Sequence, residues 1–145
     1  LKKTPLTQLY ITLPAPNEEL YKTVCNPLIK DGWKKLMKSI SMLKDFKRNV
    51  LRLTVVKELN MVHHEQYAEI IKKYKPQFVE IKSYMNVGYS QYKLSYESMP
   101  RYNEVLAFSH ELAKHSGYKI IDQKPESRVV LLAKKDFKGR KMKFK

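Results

Sequence analysis

The sequence predicts an α/β fold: parallel strands with outer helices, about half of a partial TIM-like barrel if it belongs to a barrel, and a terminal β-hairpin-like pair. Two observations carry this. Short apolar, β-branched runs alternate along the chain with stretches whose apolar residues recur every three or four positions, so strand and helix take turns. The run Asn49 to Val56 is apolar enough to be buried on both faces, as parallel strands are. Such an order is laid out with right-handed crossovers, either doubly wound or as part of a barrel. Three parallel strands do not close a barrel.

Residues 8–14 alternate in polarity and stop at the Pro14-Ala15-Pro16 breaker, which reads as a strand. Asn17 then caps a short helix, with Glu18 and Glu19 where the helix dipole favours negative charge. Asp31 is expected to cap a longer helix with Trp33, Leu36, Met37, Ile40, Leu43 and Phe46 on one stripe. After the strand at 49–56 comes a helix near 63–74, which Pro76 ends, and a third strand over Phe78 to Tyr84. A loop from Met85 to Met99 follows. Pro100 opens a helix to about Ser116, stopped by Gly117, and two strands, Tyr118 to Asp122 and Arg128 to Ala133, flank a turn at 124–127. Residues 1–134 read as the folded unit and 135–145 as a basic tail.

With 145 residues, 43% hydrophobic and 30% charged, the composition is that of one ordinary globular domain. A chain of this size buries about two thirds of its unfolded surface, so no disulfide or metal staple is needed. Lys and Arg number 29 against 14 Asp and Glu, a formal charge of +15. That balance nominates polyanionic partners and equally fits a lysine-decorated surface. Cys25 is the single cysteine, so the chain alone forms no internal disulfide, closed zinc site or three-thiolate iron–sulfur site. A reducing, cytoplasmic setting is expected. No run approaches the roughly 20 apolar residues that span a bilayer, residues 1–5 do not read as a signal peptide, and no membrane partner is expected. The chain opens on Leu1 rather than Met, from which a natural start further upstream is expected.

Splitting each strand by side-chain parity gives a recurrent pattern. Leu9, Ile11 and Leu13 oppose Tyr10 and Thr12; Leu51, Leu53 and Val55 oppose Arg52 and Thr54; Val79 and Ile81 oppose Glu80 and Lys82. One face is greasy and the other carries groups that are costly to bury unpaired. An Arg52–Glu80 pair that merely ties two strands accounts for those two residues, but not for Thr12, Thr54 and Lys82 beside them. A ligand-lined face accounts for all, and in parallel sheets such a site lies at the C-terminal strand ends, where Lys57, Asn60, Tyr84 and Asn86 fall. The loop that follows, with Tyr84, Asn86, Tyr89, Tyr92 and Lys93, mixes aromatics, amides and cations as surfaces that stack unpaired bases do. Aromatics in long loops also form small cores. His63-His64-Glu65 lacks the spacing of a helical zinc site, and Cys25 has no companion that would make it a nucleophile.

Several runs together resemble a known family. Gln8-Leu9-Tyr10-Ile11-Thr12-Leu13-Pro14-Ala15-Pro16-Asn17, Pro27-Leu28-Ile29-Lys30-Asp31-Gly32-Trp33, and Arg52-Leu53-Thr54-Val55-Val56-Lys57 with Asn60-Met61 are similar to 4-demethylwyosine synthases of the tRNA wybutosine pathway. So are Phe78 to Met85, Val87-Gly88-Tyr89-Ser90, Met99-Pro100 and Ser127 to Leu132. The resemblance covers nearly the whole chain and points to its C-terminal portion. It implies half of a partial radical-SAM barrel, in a lyase that converts N1-methylguanosine beside the anticodon of phenylalanine tRNA, with S-adenosylmethionine, a [4Fe-4S] cluster and pyruvate. The cluster cysteines and the catalytic residues are expected in the N-terminal half of the barrel, upstream of the matched region. The resemblance implies cofactor contacts at Thr12, Arg52, Thr54, Lys57, Asn60, Glu80 and Lys82, and RNA contacts at Tyr84, Asn86, Tyr89, Tyr92, Lys93 and Arg128. A non-catalytic basic RNA-binding α/β module is the alternative. Two departures stand out: Pro14, where Ser, Thr or Asp is expected in the family, and Glu58, where Gly is expected.

Overall fold

The structure, a computed structural model, describes residues 8–25, 30–85 and 98–135. Its elements run in the order β1 (Leu9–Thr12), α1 (Glu18–Cys25), α2 (Gly32–Ser41), β2 (Asn49–Val55), α3 (His64–Tyr74), β3 (Phe78–Ser83), α4 (Tyr102–Ser116), β4 (Lys119–Lys124) and β5 (Val129–Ala133). The alternation read from the sequence is thus the alternation found.

The caps explain the boundaries. The Asn17 side-chain oxygen accepts the Leu20 backbone N–H at 2.8 Å, satisfying one donor that the first turn of α1 leaves open. Asp31 does stand at the N-cap of α2 but its side chain makes no capping bond, a correction to the expected cap. The long helix expected up to Phe46 also ends early, at Ser41. The chain tightens into a 3-10 turn over Leu43–Asp45 and Phe46 is already extended, because the strand that starts at Asn49 requires the reversal. Buried Leu43 nonetheless stays on the apolar stripe. Helix α3 lies between two left-handed residues, His63 at φ 54° and Lys75 at φ 49°, and Pro76 bars its continuation. Pro100 stands just outside α4, whose N-cap is Arg101; the Glu104 carboxylate accepts the Arg101 N–H at 3.1 Å. Gly117, at φ 78°, supplies the left-handed stop.

The five strands form one sheet in the order β1-β2-β3-β5-β4. β1, β2 and β3 are parallel, whereas β5 is antiparallel to both β3 and β4. β4 therefore runs in the direction of the first three strands but sits outside them, because β5 has filled the place beside β3. The terminal pair expected from the sequence is present, and its second strand is the inner one. The open sheet is consistent with part of a barrel.

All the large packing is on one face. Leu13, Leu51, Leu53, Val55, Val79, Ile81, Val130 and Leu132 pack with Ile40 of α2, Tyr67 and Ile71 of α3, and Val105, Phe108 and Leu112 of α4. Among the described residues the other face has a small cluster of Val50, Phe78 and Ala133, with Ile121 and Leu131 against it, near the start of the parallel strands. Tyr118 joins the two layers at that end. Its hydroxyl donates to the Pro76 carbonyl at 2.5 Å, and burial pushes the phenol up to about 12.

Glu58 occupies φ 64°, in the left-handed region where a side chain costs roughly 1–2 kcal/mol. The position therefore asks for glycine, as the family pattern implied. Glycine's extra freedom in the unfolded chain offsets about 0.5–1 kcal/mol of the relief. Glu58→Gly is expected to raise the thermal midpoint by about 2 °C in calorimetry. A lower midpoint would mean that the Glu58 side chain contributes something the backbone angle does not reveal.

Candidate functional site

The strand register decides where the polar residues go. Thr12 pairs with Arg52 and Arg52 with Glu80, so these three stand side by side across β1, β2 and β3; Thr54 pairs with Lys82 in the next row. Because alternate residues share a face, both rows, with Tyr10, lie on the face that carries no helix among the described residues. Toward the start of the parallel strands this face is apolar and toward their ends it is polar, which sets the candidate site at the C-terminal edge.

Arg52 is the centre of the row. Its guanidinium lies 4.5 Å from the centroid of the Tyr10 ring and 3.3 Å from the Glu80 carboxylate. The Arg52 side chain is 33% exposed and that of Glu80 14%, so solvent screens the pair and its net contribution to stability is about 0–1 kcal/mol. What the pair and the ring do is fix an otherwise mobile cation. Its Nε is buried and has no hydrogen-bond partner among the described residues. Thr12, Thr54 and Lys82 likewise have no side-chain partner among the described residues, and each is exposed or half-buried. The face thus offers two hydroxyls and two cations. That set can bind a carboxylate or phosphate and vicinal hydroxyls.

The remaining expected residues are placed differently. Asn60 is 2% exposed, and its amide is spent on backbone: Nδ2 donates to the Pro14 carbonyl at 3.0 Å and the Thr54 carbonyl at 2.9 Å, while Oδ1 accepts the Val56 N–H at 2.7 Å. It is a clamp across the ends of β1 and β2. The Tyr67 hydroxyl in turn donates to the Asn60 carbonyl at 2.9 Å, and burial holds that phenol well above its usual range. The Pro14 carbonyl serves the clamp whatever side chain the position carries. Lys57 turns away from the row to Glu104 at 3.4 Å. The Arg101 N–H, and then Lys57, hold the Glu104 carboxyl below the usual carboxylate range.

Tyr84 is 8% exposed, so its ring is packed rather than presented. Arg128 is half-buried and donates to the Pro100 carbonyl at 3.2 Å, which the Ser83 hydroxyl also reaches at 2.9 Å. Asn86, Tyr89, Tyr92 and Lys93 lie outside the described residues. The chain on either side of them is pinned to the same edge, with Tyr84 N–H on the Val55 carbonyl at 2.9 Å and Lys57 N–H on the Ser98 carbonyl at 2.8 Å.

Sequence reasoning missed two residues. Tyr10 was legible as a neighbour of Thr12 by parity, but nothing marked it as the ring under Arg52. Glu104 carries a signal that was not used: an acidic residue three positions after the N-cap, the spacing of a capping box. Among the described residues no three His, Cys, Asp or Glu gather into a metal site, and no helix is long and apolar enough to cross a membrane.

If Asn60 is a clamp, Asn60→Ala strands two carbonyls and an N–H at the site's edge. The expected cost is about 2–4 kcal/mol in denaturant unfolding. A loss below about 0.5 kcal/mol would show that the strand ends hold themselves.

The family model for wyosine base formation matches residues 73–134. An S-adenosyl-L-methionine-dependent tRNA 4-demethylwyosine synthase from Pyrococcus abyssi is 44% identical over 132 residues, covering 90% of this chain and 39% of the relative. The human protein of that name, TYW1, is 33% identical over 137 residues, covering 92% of this chain and 19% of the relative. Among solved structures, TYW1 with a lysine–pyruvate adduct bound superposes with a TM-score of 0.79 at 33% identity, covering 88% of this chain and 41% of that one. Archaeal TYW1 gives 0.73 at 29% identity, with 92% and 41% covered. This chain spans about two fifths of the archaeal relative's length and matches the 4-demethylwyosine synthase family, the family its sequence resembles, as a C-terminal portion.

Proposed function

We propose that this chain forms one wall of the S-adenosyl-L-methionine site in a tRNA 4-demethylwyosine synthase of the wybutosine pathway. The observation that carries the reading is the double row of Thr12, Arg52 and Glu80, then Thr54 and Lys82, on the helix-free face at the C-terminal strand ends. In this reading Arg52, steadied by Tyr10 and Glu80, and Lys82 bind the amino-acid carboxylate, while the Thr12 and Thr54 hydroxyls bond the ribose. Arg52 Nε and Lys82, neither of which has a hydrogen-bond or ion-pair partner among the described residues, fit such a ligand. Asn60 sets the position of both strand ends and touches no ligand.

The substrate in this reading is N1-methylguanosine beside the anticodon of phenylalanine tRNA, with pyruvate supplying two carbons, and a relative's bound lysine–pyruvate adduct supports that co-substrate. The radical chemistry belongs to a [4Fe-4S] cluster. Cys25 is the single cysteine of this sequence and partial burial raises its pKa, which disfavours the thiolate, so a three-thiolate cluster does not fit this chain's residues alone. A basic RNA-binding module without catalysis is the second reading, favoured by the net charge of +15.

In the complete enzyme, Arg52→Ala and Lys82→Ala should each raise the KM for S-adenosyl-L-methionine about tenfold or more, from loss of a charge-assisted bond worth about 1.5–3 kcal/mol. Formation of 4-demethylwyosine is read by nucleoside mass spectrometry. An unchanged KM with an unchanged rate would remove both residues from the site, whereas a parent enzyme that forms no 4-demethylwyosine would favour the module.

A further inference from the structure

The parallel strands give the sheet two unlike edges. The segments that enter β2, β3 and β4 and leave β5 all meet at the edge opposite the polar rows. Among the described residues, segments 42–48, 72–77, 114–119 and 134–135 hold ten Lys and Arg and one carboxylate, Asp45. The segments of the other edge, 13–19, 56–65, 98–104 and 124–128, hold four Lys and Arg and six carboxylates. The excess positive charge is therefore segregated, which a uniformly lysine-decorated surface does not explain.

Helix dipoles account for part of it, since Lys72, Lys73 and Lys114 sit in last turns where a cation is favoured. They do not account for Lys47, Lys119 or Lys134, which stand on strand approaches. Lys44, Lys47, Lys73, Lys75, Lys119 and Lys134 are all exposed and form no ion pair among the described residues. A single-sign edge repels itself, and a polyanion relieves that repulsion while releasing its counterions.

We infer that this edge is a second RNA-backbone surface, distinct from the ligand face and remote from it. Lys47 lies two residues before β2, Lys75 at the C-cap of α3 three residues before β3, Lys134 one residue after β5 and Lys119 at the start of β4, and these four strands are consecutive in the sheet. With neighbouring strands about 4.8 Å apart, the ends of these four strands span about 14 Å, and the lysines flank them. A line of separated cations with no enclosing pocket suits a chain of phosphates better than one small anion. The strands between the edges are about 20 Å long, so an RNA held here is gripped away from any nucleotide at the C-terminal edge. The inference rests on the reading above only in taking RNA as the partner.

The test compares two triple variants of equal charge. Lys47→Glu, Lys75→Glu and Lys119→Glu alter the edge; Lys34→Glu, Lys35→Glu and Lys38→Glu alter the exposed face of α2. Binding of a tRNA transcript to the full 145-residue chain is followed by fluorescence anisotropy between about 50 and 200 mM salt. The edge triple should weaken binding at least about tenfold and reduce the salt slope by about 2–3, while the α2 triple stays within about twofold of the parent. The neutral triple, with Gln at positions 47, 75 and 119, should move in the same direction by less and guards against misfolding of the Glu version. Equal losses in both triples, or parental affinity in the edge triple, overturn the inference. So does an edge triple that loses only binding to phosphatidylserine vesicles. A parent chain that binds no tRNA would sink the RNA partner itself, and a parent that binds with an indifferent edge would sink this surface alone.

Discussion

A β-strand sends alternate side chains to opposite faces, and among the described residues the helices pack on one face of this sheet. The rest of the structure follows from that constraint. Leu51, Leu53, Val79 and Ile81 are buried under α2, α3 and α4, so Arg52, Thr54, Glu80 and Lys82 must stand on the other side. A shift of one residue in register would exchange the two sets and bury charge against the helices, at a cost of several kcal/mol per unpaired group. The same requirement that builds the core therefore assembles the polar face.

Holding that register at its open end falls to Asn60. Its three bonds reach Pro14 just past β1, Thr54 near the end of β2, and Val56 where the chain leaves β2. Next to it the Ser83 hydroxyl and Arg128 converge on the Pro100 carbonyl, and Lys57 and Arg101 converge on Glu104. The C-terminal edge is thus tied by hydrogen bonds, many of them to backbone, which leaves the side chains of the row free for another partner. The opposite edge is tied by apolar contact, by Tyr118 and by buried Asn49, whose amide donates to the Phe46 carbonyl and accepts the Gln77 N–H, and it also displays most of the exposed lysines of the strand approaches.

Much of this was legible in the sequence, for reasons that differ by element. Strand parity is a period of two and needs no tertiary information, so the faces of β1, β2 and β3 came out correctly, as did the stops at Pro76 and Gly117. The place of β5 between β3 and β4 was not legible, because pairing order depends on contacts between distant segments. The helix that should have run to Phe46 fails at Ser41 because the needs of β2 override its own apolar period. Asn60 looked like a ligand-binding residue since its identity and its place near the strand ends were visible; what was invisible is that three backbone groups would saturate it. The charged edge escaped notice because its lysines are scattered in sequence and are gathered only by the topology.

The central claim is that Thr12, Thr54 and Lys82 face outward on a helix-free surface while Leu53 and Ile81 face the helices. Single cysteines placed at these positions in a Cys25→Ser background, labelled with a maleimide under native conditions, test it directly. Positions 12, 54 and 82 should react about as fast as an exposed thiol, and positions 53 and 81 only as the chain unfolds. Fast labelling at 53 and 81 with protection at 54 and 82 would mean the register is inverted, and the ligand face would not stand.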